Sequence, residues 1–256
     1  MVILFEKYGA LSNNLFQHIH FDSFCRENKV EFVNNFISHY YENPTPRTSA
    51  ASFKFKYKGV FTGLKLNPLI SFDNENENVS DKEQMMRNKK TVFVKGWAYR
   101  NMELTKRERN YYHRLFFNDF HFDPASILDK NKPNIAIHIR RGDYKNWQNG
   151  RFYYNDDVYV KMIDRILELI KTNAKILIFS NDKELNTELY RDRYKDCYIS
   201  TNKEKVDHYL MSQCNYIIGP PSSFSMWASY IGNTKFFHIG SKDEIMELEN
   251  FAICNG

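Results

Sequence analysis

A chain of 256 residues with 42% hydrophobic content can bury one large core or two of about 100 to 130 residues each, and two small α/β domains fit that composition better. The formal charge of +5 is modest and its Lys and Arg are spread along the chain, so a nucleic-acid partner is not demanded; anionic small molecules or peripheral contact with a phospholipid surface suit the charge. Cys25, Cys197, Cys214 and Cys254 lack metal spacing and the density of a disulfide scaffold, Met1 to Phe5 gives way to Glu6 and Lys7 too soon for a signal peptide, and no apolar run nears the ~18 residues of a transmembrane span, so a soluble, cytoplasmic protein is expected.

Val2 to Tyr8 reads as a first strand, turned at Gly9 into a helix marked by Leu11, Leu15, Phe16, Ile19 and Phe24, with Ser12 or Asn13 as its cap. A strand from Lys29 to Phe36 follows, and from Ser38 to Asn88 the pattern is irregular. Within that stretch Phe53, Phe55 and Tyr57 alternate with Lys54, Lys56 and Lys58, either a functional basic stripe or an edge strand that lysine keeps from pairing with other chains. Asp73 to Asn78 is a polar, low-complexity loop. Thr91 to Trp97 is a strand and Glu103 to Phe117 a helix, and Pro124 with the Asp129 to Pro133 cluster marks a boundary that gives domains 1–130 and 131–256. Beyond it, strands at Asn134 to Ile139, Lys175 to Phe179, Cys197 to Ser200, Tyr216 to Ile218 and Lys235 to Ile239 alternate with helices. These begin near Asp156 and span Lys183 to Arg191, Lys205 to Cys214 and Ser223 to Ile231, a pattern that predicts a parallel sheet covered on both faces.

Three features fall at the carboxyl ends of these strands, where open α/β sheets hold their ligands. The first is His138-Ile139-Arg140-Arg141-Gly142-Asp143-Tyr144, in which strand alternation turns Arg140 away from its aliphatic neighbours. Two adjacent guanidiniums suit a diphosphate, or else pair on the surface with Asp143. The second is Ser180-Asn181-Asp182, whose carboxylate could accept from the N1 and N2 edge of guanine or cap the next helix. The third, Gly219 to Ser225, is a turn feeding a helix whose serines and free N–H groups could seat a phosphate or act as ordinary caps. Gly9, lacking a Cβ, permits a ligand close to the first strand-to-helix turn. There is no GxGxxG after a strand, no GxxxxGK[ST], no HExxH and no Asp-x-Asp, and isolated histidines such as His18, His20, His113 and His121 read as core or surface residues. The Arg141-Gly142-Asp143 tripeptide ends a core strand, which does not suit an adhesion ligand.

The motif from His138 to Tyr144 resembles the signature of the α-1,2-fucosyltransferases, relatives of the α-1,6- and protein O-fucosyltransferases. In the same order, Gly9 to Gln17 resembles that family's GGLGNQMFQ, with Ala10, Ser12 and Asn14 in place of glycine, glycine and glutamine. Phe93 to Tyr99 resembles its segment ending in Gly-Tyr-Phe-Gln. Leu210 to Asn215 with Ser222 to Trp227 resembles LMSxC followed by NSSFSWW, Pro220-Pro221 standing where one asparagine is usual. The resemblance implies an α/β, GT-B-like architecture of two Rossmann-like domains facing across a cleft, the first on the acceptor side and the second holding the donor. It also implies a GDP-fucose donor, inversion at the anomeric carbon, no metal or other cofactor, and a glycan acceptor whose hydroxyl, the 2-hydroxyl of a galactose, attacks the donor sugar. Carried over by motif, Arg140 would bind the β-phosphate with Arg141 in support, His138 and Asp182 would meet guanine, and Ser222, Ser223 and Phe224 would line the diphosphate. Gly9 and Asn13 join them as donor-binding positions. Asp143 is either the base at the acceptor hydroxyl or a salt bridge that orients an arginine, while Asp156 and Asp157 are weaker candidates for the base that otherwise serve the start of their helix. Another GDP-deoxyhexose or linkage, a non-catalytic nucleotide-sugar or anionic-glycan binder, and an RNA-binding protein using the Lys54, Lys56 and Lys58 stripe are the competing readings.

Overall fold

The computed structural model describes residues 1–34, 36, 37, 40, 67–74 and 77–256. They divide into an N-terminal unit, residues 1–120 with 255 and 256, and a C-terminal unit of residues 121–254. The expected boundary at residue 130 falls inside the second unit because Phe122, Ile127 and Leu128 pack against its core around Leu177, Leu210 and Ile217. The alternation of Lys54, Lys56 and Lys58 lies outside the described residues.

In the N-terminal unit β1 (Val2–Leu4), β2 (Phe32–Val33), β3 (Leu69–Ser71) and β4 (Val92–Lys95) form a parallel sheet in the order β2-β1-β4-β3. The strands predicted from the sequence are present but shorter than their apolar runs. Between them α1 (Leu11–Glu27) is buried at every residue from Asn14 to Cys25, so it is enclosed rather than amphipathic. Several of its polar groups are bonded within the unit: Gln17 donates to Gly96 O at 2.8 Å, Asp22 accepts from the Tyr112 hydroxyl at 3.0 Å, and His20 Nδ1 accepts from the Asn101 N–H at 3.0 Å. Burial, and then the nearby Arg100 charge, drive the His20 pKa down to about 3. α1 starts at Leu11, so neither Ser12 nor Asn13 caps it; instead the Asn14 side chain closes the turn, donating to Ala10 O at 2.8 Å and accepting from the Tyr8 N–H at 2.9 Å. β3 and the helix α2 (Ser80–Asn88) lie in the stretch whose pattern was irregular. β3 is three residues long and α2 buries only Met86, too little for a periodic signal. The unit is completed by α3 (Met102–Phe117), whose Asn101 cap accepts from the Leu104 N–H at 3.3 Å.

The C-terminal unit follows its predicted alternation closely. Strands β5 (Asn134–Ile139), β6 (Lys175–Ser180), β7 (Cys197–Ile199), β8 (Tyr216–Gly219) and β9 (Lys235–His238) pair in parallel in the order β7-β6-β5-β8-β9. They are joined through α4 (Asp156–Ile170), α5 (Thr187–Arg193), α6 (Glu204–Ser212) and α7 (Ser223–Gly232). Strand order reverses between β5 and β8, so their carboxyl ends are the switch point at which such sheets bind ligands. Ile135, Ile137 and Ile139 pack toward α4, whereas Ala136 packs toward α6 and α7, as strand alternation requires. At the switch point β8 approaches β5 so closely that a Cβ on Gly219 would lie 2.8 Å from His138 O.

Candidate active site

The two adjacent arginines leave β5 toward opposite faces and meet opposite fates. Arg141 is buried, and its Nε donates to Tyr154 O at 2.9 Å, Nη1 to Asp182 at 3.2 Å and Nη2 to Asp156 at 2.6 Å. Its charge is thus met by two carboxylates of its own chain, and it acts as a strut between the end of β5, the β6 loop and the start of α4. Asp182, expected to meet guanine or to cap a helix, accepts from Arg141 through one oxygen and from the Glu184 N–H at 2.9 Å through the other; the helix begins later, at Thr187 with Asn186 as its cap. Asp156, set aside as a helix-start residue, is the second of these partners.

Arg140 is oriented but not consumed. Its Nη2 lies 2.9 Å from Asp143 Oδ1, which gives Asp143 the salt-bridge place of its two expected roles. Among the described residues its Nε is buried with no hydrogen-bond partner, an N–H whose lost hydration none of them replaces.

Beside Arg140 a cavity of about 150 Å³ opens at the ends of β5, β6 and β7, lined by His138, Phe179, Asn202, Asp207 and Phe224. His138 is buried with Nδ1 3.1 Å from Ser225 Oγ, and its ring lies 5.2 Å from that of Phe224, which has His208 at 4.1 Å. Burial first, and then the Arg140 charge, bring the His138 pKa down to about 3; burial and His138 do the same to His208. Both imidazoles are therefore neutral at physiological pH. Asp207 is the acidic counterpart: burial pushes its carboxyl up to about 7, although Ser200 and Asn202 hydrogen bonds oppose the shift. Asp207 was not among the residues expected here. Its signal was present in the spacing Asp207, Leu210, Met211, Cys214, which places a carboxylate on the apolar side of α6.

The third element is the turn into α7. The Ser222 hydroxyl accepts from the Phe224 N–H at 3.3 Å, the ordinary capping role, and the Tyr144 hydroxyl donates to Pro221 O. The half-buried Ser223 begins the helix at the end of β8, where free N–H groups and the helix dipole favour an anion. In the N-terminal unit, the space that a Cβ on Gly9 would occupy is taken by Asn13, whose Nδ2 lies 2.3 Å from that point. A larger cavity of about 540 Å³ lies along α4 against Glu244 to Met246, and none of the residues named above except Asp157 lines it.

Residues 102–245 match the family model described as glycosyl transferase family 11. Among curated proteins the chain is 29% identical over 121 residues to the O-antigen biosynthesis glycosyltransferase WbnK of Escherichia coli, and 31% identical over 107 residues to an alpha-1,2-colitosyltransferase of Escherichia coli. Those alignments cover 44% and 39% of this chain, and only 39% and 37% of the respective relatives. Among solved structures it is similar, with a TM-score of 0.54 in both cases, to an Arabidopsis thaliana FUT1 variant in complex with GDP and to POFUT1 in complex with GDP-fucose. Both are 9% identical; the matches cover 93% and 91% of this chain and 70% and 94% of the neighbours. At that identity the likeness establishes the fold, α/β and GT-B-like.

Proposed function

This chain belongs to glycosyl transferase family 11, and on that premise we propose that it moves fucose from GDP-fucose to a glycan hydroxyl, the 2-hydroxyl of a galactose, with inversion and without a metal. The observation that carries the reading is the unpaired, buried Nε of Arg140 at the switch point of the C-terminal sheet, beside the start of α7. Cleavage of the sugar–phosphate bond leaves negative charge on GDP, and donors already in place for that charge stabilise the transition state more than they stabilise the substrate. Arg140, held by Asp143, and the N–H groups at the start of α7 are those donors. The cavity at Asp207 suits the base. Guanine offers N1–H and N2–H to one carboxylate, as uracil cannot, and Phe224, Phe179 and neutral His138 supply flat apolar walls. Asp207 replaces Asp182 in this assignment, because Asp182 is committed to Arg141.

Thermal shift with GDP, GDP-fucose, GDP-mannose and UDP-sugars tests the donor. Stabilisation by GDP and GDP-fucose is expected, and stabilisation by UDP-sugars without GDP defeats the reading. Release of GDP from GDP-fucose on adding acceptor, lost in Arg140→Ala, separates an enzyme from a binder. A second reading, another GDP-deoxyhexose in place of fucose, is favoured by the relative named for colitosyl transfer. Adding GDP-colitose to the donor panel decides between them: the second reading expects GDP release with GDP-colitose and acceptor, and none with GDP-fucose.

A further inference from the structure

Beyond Arg140 the chain builds an aromatic ledge. Two short 3-10 turns, Asp143–Lys145 and Trp147–Gly150, follow β5. Tyr144, Trp147 and Phe152 pack in series as tilted rings, with centroids 4.7 and 5.4 Å apart and ring planes 33° and 31° from parallel. Tyr144 and Phe152 are buried against the α4 side of the core, yet Trp147 remains 40% exposed. Gln148, Asn149 and Gly150 have φ of 49°, 58° and 76°, three consecutive left-handed residues of which two carry side chains. Such a backbone persists only where its surroundings impose it, and here it follows an indole that water wets.

The placement gives the ledge a direction. The base subsite lies on the α6 and α7 side of Arg140, whereas Tyr144, whose ring centroid is 5.6 Å from the Arg140 guanidinium carbon, belongs to the α4 side. With the base in its cavity and the β-phosphate on Arg140, the transferred sugar and the hydroxyl that attacks it lie away from the base, toward Trp147. An exposed indole pairs with the C–H face of a pyranose, and the exposed amides of Asn146, Gln148 and Asn149 match ring hydroxyls.

We propose that Trp147 is the platform on which the acceptor sugar stacks, setting which hydroxyl faces the donor. This rests on the donor reading above. The test uses the full chain with GDP bound and three probes: the methyl β-glycosides of galactose, glucose and N-acetylglucosamine, followed by saturation-transfer NMR. Transfer to ring protons of at least one glycoside is expected, abolished in Trp147→Ala and retained in Trp147→Phe. In turnover with that glycoside, Trp147→Ala raises the acceptor KM about tenfold and leaves the GDP-fucose KM within about twofold. Thermal melts with GDP show whether each variant is folded, and Trp147→Phe keeps the comparison informative should the alanine variant not fold. Saturation transfer to none of the glycosides, an unchanged acceptor KM, or an equal rise in the donor KM overturns the proposal. So does a second copy of the chain that covers Trp147, read as an indole emission change on dilution. If wild type is not stabilised by GDP, the donor reading falls and this inference with it; if GDP stabilises it and Trp147→Ala behaves as wild type, the inference alone falls.

Discussion

Adjacent residues of the same type can be assigned opposite work by a single strand's alternation, and Arg140 and Arg141 make that separable by experiment. Arg140→Ala should lower kcat by about 10² to 10³ while leaving the melt near wild type, because its one ion pair is with the exposed Asp143. Arg140→Lys keeps the charge but loses the Nε–H, so it should rescue little of that loss. Arg141→Ala leaves Asp156 and Asp182 facing an empty, dry site and should cost about 3 to 5 kcal/mol in denaturant unfolding, whatever its effect on turnover. Asp207 adds a pH signature. Its folded pKa, about 7, is above the ordinary carboxyl value of 3.8, so the folded state holds a proton that the unfolded state has released between those values. The contribution of this group to stability is therefore fully present below pH 4 and is lost as pH rises through 7. GDP works in the other direction, because the guanine edge needs the ionised acceptor. GDP should bind more tightly at pH 8 than at pH 6 and release protons on binding at pH 7, measurable by calorimetry in buffers of different ionisation enthalpy. Asp207→Asn should abolish both the pH dependence and most of the affinity, and a pH-independent GDP affinity in wild type would remove Asp207 from the base site.

At the scale of elements, the C-terminal unit was legible because a parallel sheet buried on both faces leaves continuous apolar runs, as from Ile135 to Ile137 and from Ile176 to Phe179, punctuated by polar turns. The N-terminal unit was less so. α1 is enclosed on all sides and carries Asn14, Gln17, His20 and Asp22 inward, so its polar residues cannot be told from solvent-facing ones until their partners on α3 and β4 are known. Of the proposed site, the arginine motif and the α7 turn stand out in local pattern. The different partners of Arg140 and Arg141, and the proposed exchange of Asp182 for Asp207, depend on contacts across 41 residues of sequence and on burial of α6, which no local pattern encodes. The contact of β8 with β5 is a further long-range constraint. Gly219→Ala would place a methyl group 2.8 Å from His138 O, backbone that cannot yield without shifting β5. We expect a loss of about 1 to 3 kcal/mol in unfolding, together with weaker GDP binding, since the turn into α7 moves with Gly219.

The whole molecule consists of two units with separate hydrophobic cores, one around Phe21, Phe72 and Tyr99 and the other around the isoleucines of β5 and β6. A ligand held by one of them stabilises that one: at a hundredfold excess over its Kd, GDP adds about 2.7 kcal/mol to the unit that binds it. The residues proposed for the donor, His138, Arg140, Asp207 and Ser223, all belong to the C-terminal unit. In the N-terminal unit, by contrast, the turn from Tyr8 to Asn14 has its polar groups engaged internally and the space above Gly9 filled by Asn13. Hydrogen exchange on the full chain distinguishes these situations peptide by peptide. GDP should slow exchange in peptides covering residues 138–142, 202–208 and 219–225 and leave residues 8–17 unchanged, while raising the C-terminal unit's unfolding transition alone. Protection of residues 8–17 equal to that at 219–225 would instead mean that Asn13 swings away from Gly9 to admit the nucleotide.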